Sequence, residues 1–194
     1  MQTFLPYPDF WQSVRALDNK RLGNQRKEAA QILNAIERGG AWAHHPATLM
    51  WRNYTAALKL YQNACMREWE RRGCFNTMVY HYVTDDVQFP FWLGYEPLHQ
   101  SHRAMLMYKY EVSPVERDYI DMFSPITNAP TEYVWPSRIM AAGWILKQPE
   151  HWWQTHHVFD GKDPVDHISA VRYGVKVLGA VHHSNYKLIV DLVL

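Results

Sequence analysis

The stretch Leu17-Asp-Asn-Lys-Arg-Leu-Gly-Asn-Gln-Arg-Lys-Glu-Ala-Ala-Gln-Ile-Leu33 holds the densest concentration of residues able to do chemistry. Lys20, Arg21, Arg26 and Lys27 surround a single carboxylate, Glu28, where an amphipathic helical pattern begins. The positive end of a helix adds to such cations and together they suit a phosphate. The same cations favour an ionised Glu28, which can stabilise a developing positive charge or direct a water. Composition alone favours a plainer reading, a solvated helix face with Glu28 as an ordinary salt-bridge partner.

The 11 histidines invite a metal site, and the spacing argues against one. His99 and His102 stand three apart, whereas the pairs His44–His45, His156–His157 and His182–His183 are adjacent and generally point in different directions. No HExxH pattern occurs, so neither a metal nor another cofactor is expected. His45 reads as a helix-start residue near the active face. His102 with Arg103 could reach a backbone phosphate, a satisfied structural histidine being the other reading. The clusters Trp92-Leu-Gly-Tyr95, Tyr133-Val-Trp135 and His151-Trp-Trp153 could stack on a base or simply fill a core.

These residues need elements to position them. Pro6 and Pro8 keep the opening segment extended. A short helix is predicted from Asp9 or Phe10 towards Leu17, with Asp9 as its N-cap, and Asp18 is placed to cap the next. Ala29, Ile32, Leu33 and Ile36 give a helical face over 25–38, stopped by Gly39-Gly40. One long helix is expected after His45-Pro46, its face running from Ala47 through Tyr54, Leu58, Tyr61 and Cys65 to Trp69. A Pro- and aromatic-rich link leads to a helix over 98–110, then an irregular acidic stretch to Tyr133-Val-Trp135-Pro136. Helical patterns follow at 137–147 and 164–178, and the terminal KLIVDLVL fits strand or helix.

The 194 residues, 47% hydrophobic and 20% charged, suffice for one domain with a modest extension and exclude a disordered tail. No apolar run approaches the roughly 20 residues of a membrane span, and MQTFLPYPDF lacks the marks of a signal or transit peptide. Two cysteines, Cys65 and Cys74, cannot make a disulfide framework and are expected reduced, so a cytoplasmic protein is expected. The net charge of +1 hides an asymmetry: residues 1–72 carry 11 Lys/Arg against 6 Asp/Glu, and residues 73–194 carry 9 against 13. A basic first third favours a phosphate-binding face there, although a solvated helix surface accounts for it too.

The order of motifs is similar to that of the pyrimidine-dimer DNA glycosylase family, the phage endonuclease V type, in a bacterial and phage branch. The matching positions are Leu17, Asp18, Leu22, Lys27, Glu28 and Ala29, then His45-Pro46, then Arg72-Gly73 after a long helix. A weaker one is the His99, Ser101, Lys109 spacing, and MQTFLPYPDF, PFWLGYEPLHQSHR and YVWP fit the same branch. The resemblance covers about residues 1–136, expected as one mainly α helical domain. Residues 137–194 form an extension with no counterpart, expected to pack on the first part.

The resemblance implies a DNA N-glycosylase acting on a damaged or modified pyrimidine, with or without abasic-site lyase activity, on DNA of which one nucleotide is extruded. A terminal α-amine would attack the sugar C1′, and Glu28 would stabilise the charge formed there. In the phage enzyme the initiator Met is removed. Gln2 is too bulky for that here, so the amine would be that of Met1, with Lys27 or a Glu28-activated water as alternatives. Lys20, Arg15, Arg21, Arg26, His45, His102 and Arg103 would meet the nucleic acid. The rivals are an enzyme on the same scaffold acting on a modified base or nucleotide, and a DNA-binding protein without catalysis.

Overall fold

Helix formation starts where the sequence places a carboxylate. The Asp9 side chain accepts the Gln12 amide at 2.7 Å, opening α1 over Phe10–Ala16. Asp18 repeats the device by accepting the Arg21 amide at 2.8 Å, opening α2 over Asn19–Arg38. The helix ends at Gly39, whose φ of 76° suits a residue without a side chain. In this computed structural model residues 1–84, 87–124 and 132–136 are described. α3 follows over Pro46–Trp51, α4 over Thr55–Arg71, α5 over Glu96–Val112 and the short α6 over Tyr119–Phe123. The described residues are mainly α and contain no strand. The helical patterns over 137–147 and 164–178, and KLIVDLVL, lie outside them, as does the whole proposed extension.

Three expectations change. α2 begins at Asn19, six residues before Gln25, so Glu28 stands in mid-helix instead of at its mouth. The long helix after His45 divides at Arg52–Tyr54 into α3 and α4, because Tyr54 takes non-helical angles of −131° and 40° while its ring stays buried. Apolar periodicity runs through that break and hides it. The stretch after Pro114 holds α6, whose five residues are too few for a periodic signal.

The core lies where α2 packs on α4, with α1 against α4 and α3 against α2. Leu22, Ala29 and Ile32 of α2 meet Leu58, Tyr61 and Cys65 of α4, and Trp51 and Trp92 are almost wholly buried beside them. Gly23 lets α4 approach: a Cβ there would sit 3.1 Å from the Trp69 ring.

Residues 1–8 thread into this core without helix or sheet partners, so their backbone groups depend on side chains for hydrogen bonds. The Phe4 amide donates to Gln25 Oε1 at 2.8 Å and its carbonyl accepts the Tyr61 hydroxyl at 2.9 Å. Leu5, fully buried, donates its amide to His102 Nδ1 at 2.9 Å, and its carbonyl meets His99 Nδ1 at 2.8 Å. Arg103 donates to the Pro6 carbonyl at 2.6 Å. α5 therefore grips the opening segment from one side while α2 and α4 hold it from the other.

Candidate active site

That grip delivers the first residue to Glu28. Oε2 of Glu28 accepts the Gln2 amide at 2.5 Å and lies 4.0 Å from the Met1 amine. The Met1 side chain is only 3% exposed, whereas the Glu28 side chain is 27% exposed. An apolar anchor thus points inward, and the carboxylate beside the amine remains open to solvent.

A chain of aromatic rings runs beside the pair, with His45 and Tyr133 near enough to feel the charge of Glu28. Trp42 meets His45 edge-on at 5.5 Å, His45 meets Trp135 at 6.2 Å, and Trp135 lies 5.8 Å from Tyr133. Tyr133 continues to Phe4 at 6.3 Å and His102 at 5.3 Å. Ser101 of α5 fixes this late segment: its hydroxyl accepts the Val134 amide at 3.0 Å and donates to the Leu98 carbonyl. Burial, and next the positive Met1 amine, push the His45 imidazole below its ordinary range against the opposing pull of Glu28. Burial chiefly, with Glu28 adding, pushes the Tyr133 hydroxyl up to about 12.

The expected ring of cations around Glu28 does not form. Arg21 donates to Asp18 Oδ2 at 2.6 Å and stacks over Tyr119. Arg26 is buried, donating to Asn76 Oδ1 at 2.9 Å with its guanidinium 4.2 Å from the Trp69 ring centroid. Both are architectural, which removes them as phosphate ligands in this conformation. Arg103 is held by Pro6 and Glu96, and the fully buried His102 is committed to Leu5, so neither presents itself to a phosphate. Lys20 and Lys27 are exposed and make no ion pair among the described residues. Arg15 is exposed with its guanidinium over Trp11.

The positive end of α2 is likewise occupied. Asp18 caps it, and the Glu116 carboxylate accepts the Asn19 amide. The hollow beside it, lined by Asn19, Arg71, Arg72, Glu116 and Arg117, is nine residues from Glu28, about 13 Å along the helix. The cation facing Glu28 is instead the Met1 amine. Sequence reasoning also missed Trp42, an exposed ring in a short turn that packs on His45, because the ring on the other contact of His45, Trp135, is 90 residues further along the chain.

Residues 1–82 match the family model for pyrimidine dimer DNA glycosylase. The match takes in Met1, Glu28, His45 and the α2–α4 pair and ends before α5. No curated protein and no solved structure matches the chain.

Proposed function

We infer that this chain, whose first 82 residues carry the pattern of pyrimidine dimer DNA glycosylases, is a DNA N-glycosylase that releases a damaged pyrimidine from duplex DNA. The observation that carries this reading is the Met1 amine 4.0 Å from an open Glu28 carboxylate. A neutral α-amine is a nucleophile able to form a covalent bond to the sugar carbon.

In the proposed reaction the Met1 nitrogen attacks C1′ of the extruded nucleotide. The C1′–N1 bond breaks with its electron pair leaving on the base, and the attacking nitrogen gives up a proton that ends on the base. Glu28 stabilises the positive charge that builds on the sugar in between, and its carboxyl then serves proton transfer as the ring opens to a Schiff base. The Gln2 amide keeps the carboxylate oriented toward Met1. A buried Met1 side chain fits retention of that residue, consistent with a bulky Gln2 behind it.

Glu28→Gln keeps an acceptor for the Gln2 amide and removes the charge. Abasic-site formation in an ultraviolet-irradiated duplex should fall at least about 10²-fold, with affinity for that duplex within about twofold of wild type. Turnover unchanged in this variant would remove Glu28 from the reaction, and a wild type that forms no abasic site would remove the glycosylase reading.

A further inference from the structure

Cleavage of a pyrimidine N-glycosidic bond has a second demand, which neither the amine nor Glu28 meets. As C1′–N1 breaks, its electron pair becomes negative charge on the base, shared between N1 and the O2 carbonyl carried by every pyrimidine. A hydrogen-bond donor aimed at O2 lowers that barrier in the manner of an oxyanion hole.

His45 is built to be such a donor. Its Nδ1 accepts the Ala47 amide at 3.1 Å as the N-cap of α3, so the neutral ring carries its proton on Nε2. Nε2 has no hydrogen-bond partner among the described residues. The ring is half-buried, between the edges of Trp42 and Trp135, and stands close enough to Met1 and Glu28 for both charges to act on it. Trp42, 53% exposed, leaves a ring surface free to lie along a base. Burial, the largest cause, holds the imidazole below its ordinary range and so favours the neutral donor form.

We propose that His45 Nε2–H donates to O2 of the departing pyrimidine, with Trp42 as the surface on which that base rests. This assignment depends on the glycosylase reading above. The bond broken is C1′–N1, its pair passes to N1 and O2, and the base is neutralised by the proton the attacking Met1 nitrogen releases. His45 donates a hydrogen bond and keeps its proton.

His45→Asn tests it, because asparagine retains an N-cap acceptor for Ala47 and lacks the Nε2 donor at that reach. Single-turnover C1′–N1 cleavage in a duplex bearing one cis–syn thymine dimer, read as the abasic sugar formed because the cyclobutane ring keeps the cut base tethered to its neighbour, should slow about 10²-fold. Affinity for a duplex carrying a tetrahydrofuran abasic analogue, which has no base to leave, should stay within about twofold, and the melting temperature should be unchanged. Trp42→Ala should weaken dimer-duplex binding and leave binding of the abasic-analogue duplex alone. Equal losses on both duplexes, or a lowered melting temperature in His45→Asn, would make His45 structural and overturn the assignment. So would undiminished C1′–N1 cleavage in His45→Asn. No abasic sugar formed by the wild type would instead overturn the parent reading.

Discussion

Arg26 and Lys27 are adjacent in sequence and opposite in use. Successive helical positions lie about 100° apart, so one turns inward onto Trp69 and Asn76 while the other faces solvent. Arg26→Ala removes a cation–π contact and a side-chain hydrogen bond, and should lower stability by about 2 kcal/mol in denaturant unfolding. Its effect on the salt dependence of DNA binding should be small. Lys20→Ala and Lys27→Ala should each leave stability alone and reduce the slope of log K against log salt by about 1. An Arg26→Ala slope change as large as that of Lys27→Ala would return Arg26 to the interface. Residue type could not separate these roles. Seven cations and histidines are expected at the DNA from residue type and spacing, and burial sets Arg26 and His102 apart from the others.

At the scale of elements, α5 acts as the clamp that sets where Met1 stands. His102 is fully buried and neutral, and burial foremost, with His99 and Arg103 adding, pulls its imidazole down to about 3. The unfolded chain binds a proton on this residue below its ordinary value of 6.5, and the folded chain does so only near 3. Its contribution to stability is therefore complete above pH 6.5 and is lost as the pH falls from there, at about 1.4 kcal/mol per unit. His45 and His81, both shifted downward, lean the same way. His102→Gln should lower the melting temperature at pH 7 and flatten its decline between pH 6.5 and 4, as thermal melts across that range will show. An unchanged decline would mean that another group takes up the proton. A second junction ties α4 to α1: buried Glu68 holds Arg71 and Arg72, and Arg72 donates to the carbonyls of Val14, Arg15 and Leu17. Glu68→Ala removes the charge-assisted hydrogen bonds to Arg71 and Arg72 and should cost about 2 kcal/mol in urea unfolding. The caps at Asp9 and Asp18 and the stop at Gly39 were legible in the sequence because each is a local chemical signal. The division between α3 and α4 was not, since an apolar face continues across Tyr54 whether or not the backbone bends there.

Across the whole molecule, the candidate site exists because four distant stretches converge: the opening segment, α2, the turn before α3, and residues 132–136. Glu28 was legible through its place in an ordered set of motifs. The chain of aromatic rings was not, because no local pattern relates Trp42 to Trp135 and only the α5 clamp, through Ser101 and His102, brings them together. The basic first third was legible as charge, yet much of that charge is spent inside: Arg21, Arg26 and Arg72 hold the fold, while Lys20 and Lys27 are exposed to solvent. The central claim is that the amine of Met1 becomes covalently bound to the sugar. Borohydride reduction during reaction with an abasic-site duplex, followed by proteolysis and mass mapping, tests it most directly. A deoxyribose-derived adduct on the peptide beginning at Met1, absent when that amine is reductively methylated beforehand, is the predicted result. An adduct on Lys27, or base release with no trapped protein at all, would contradict it.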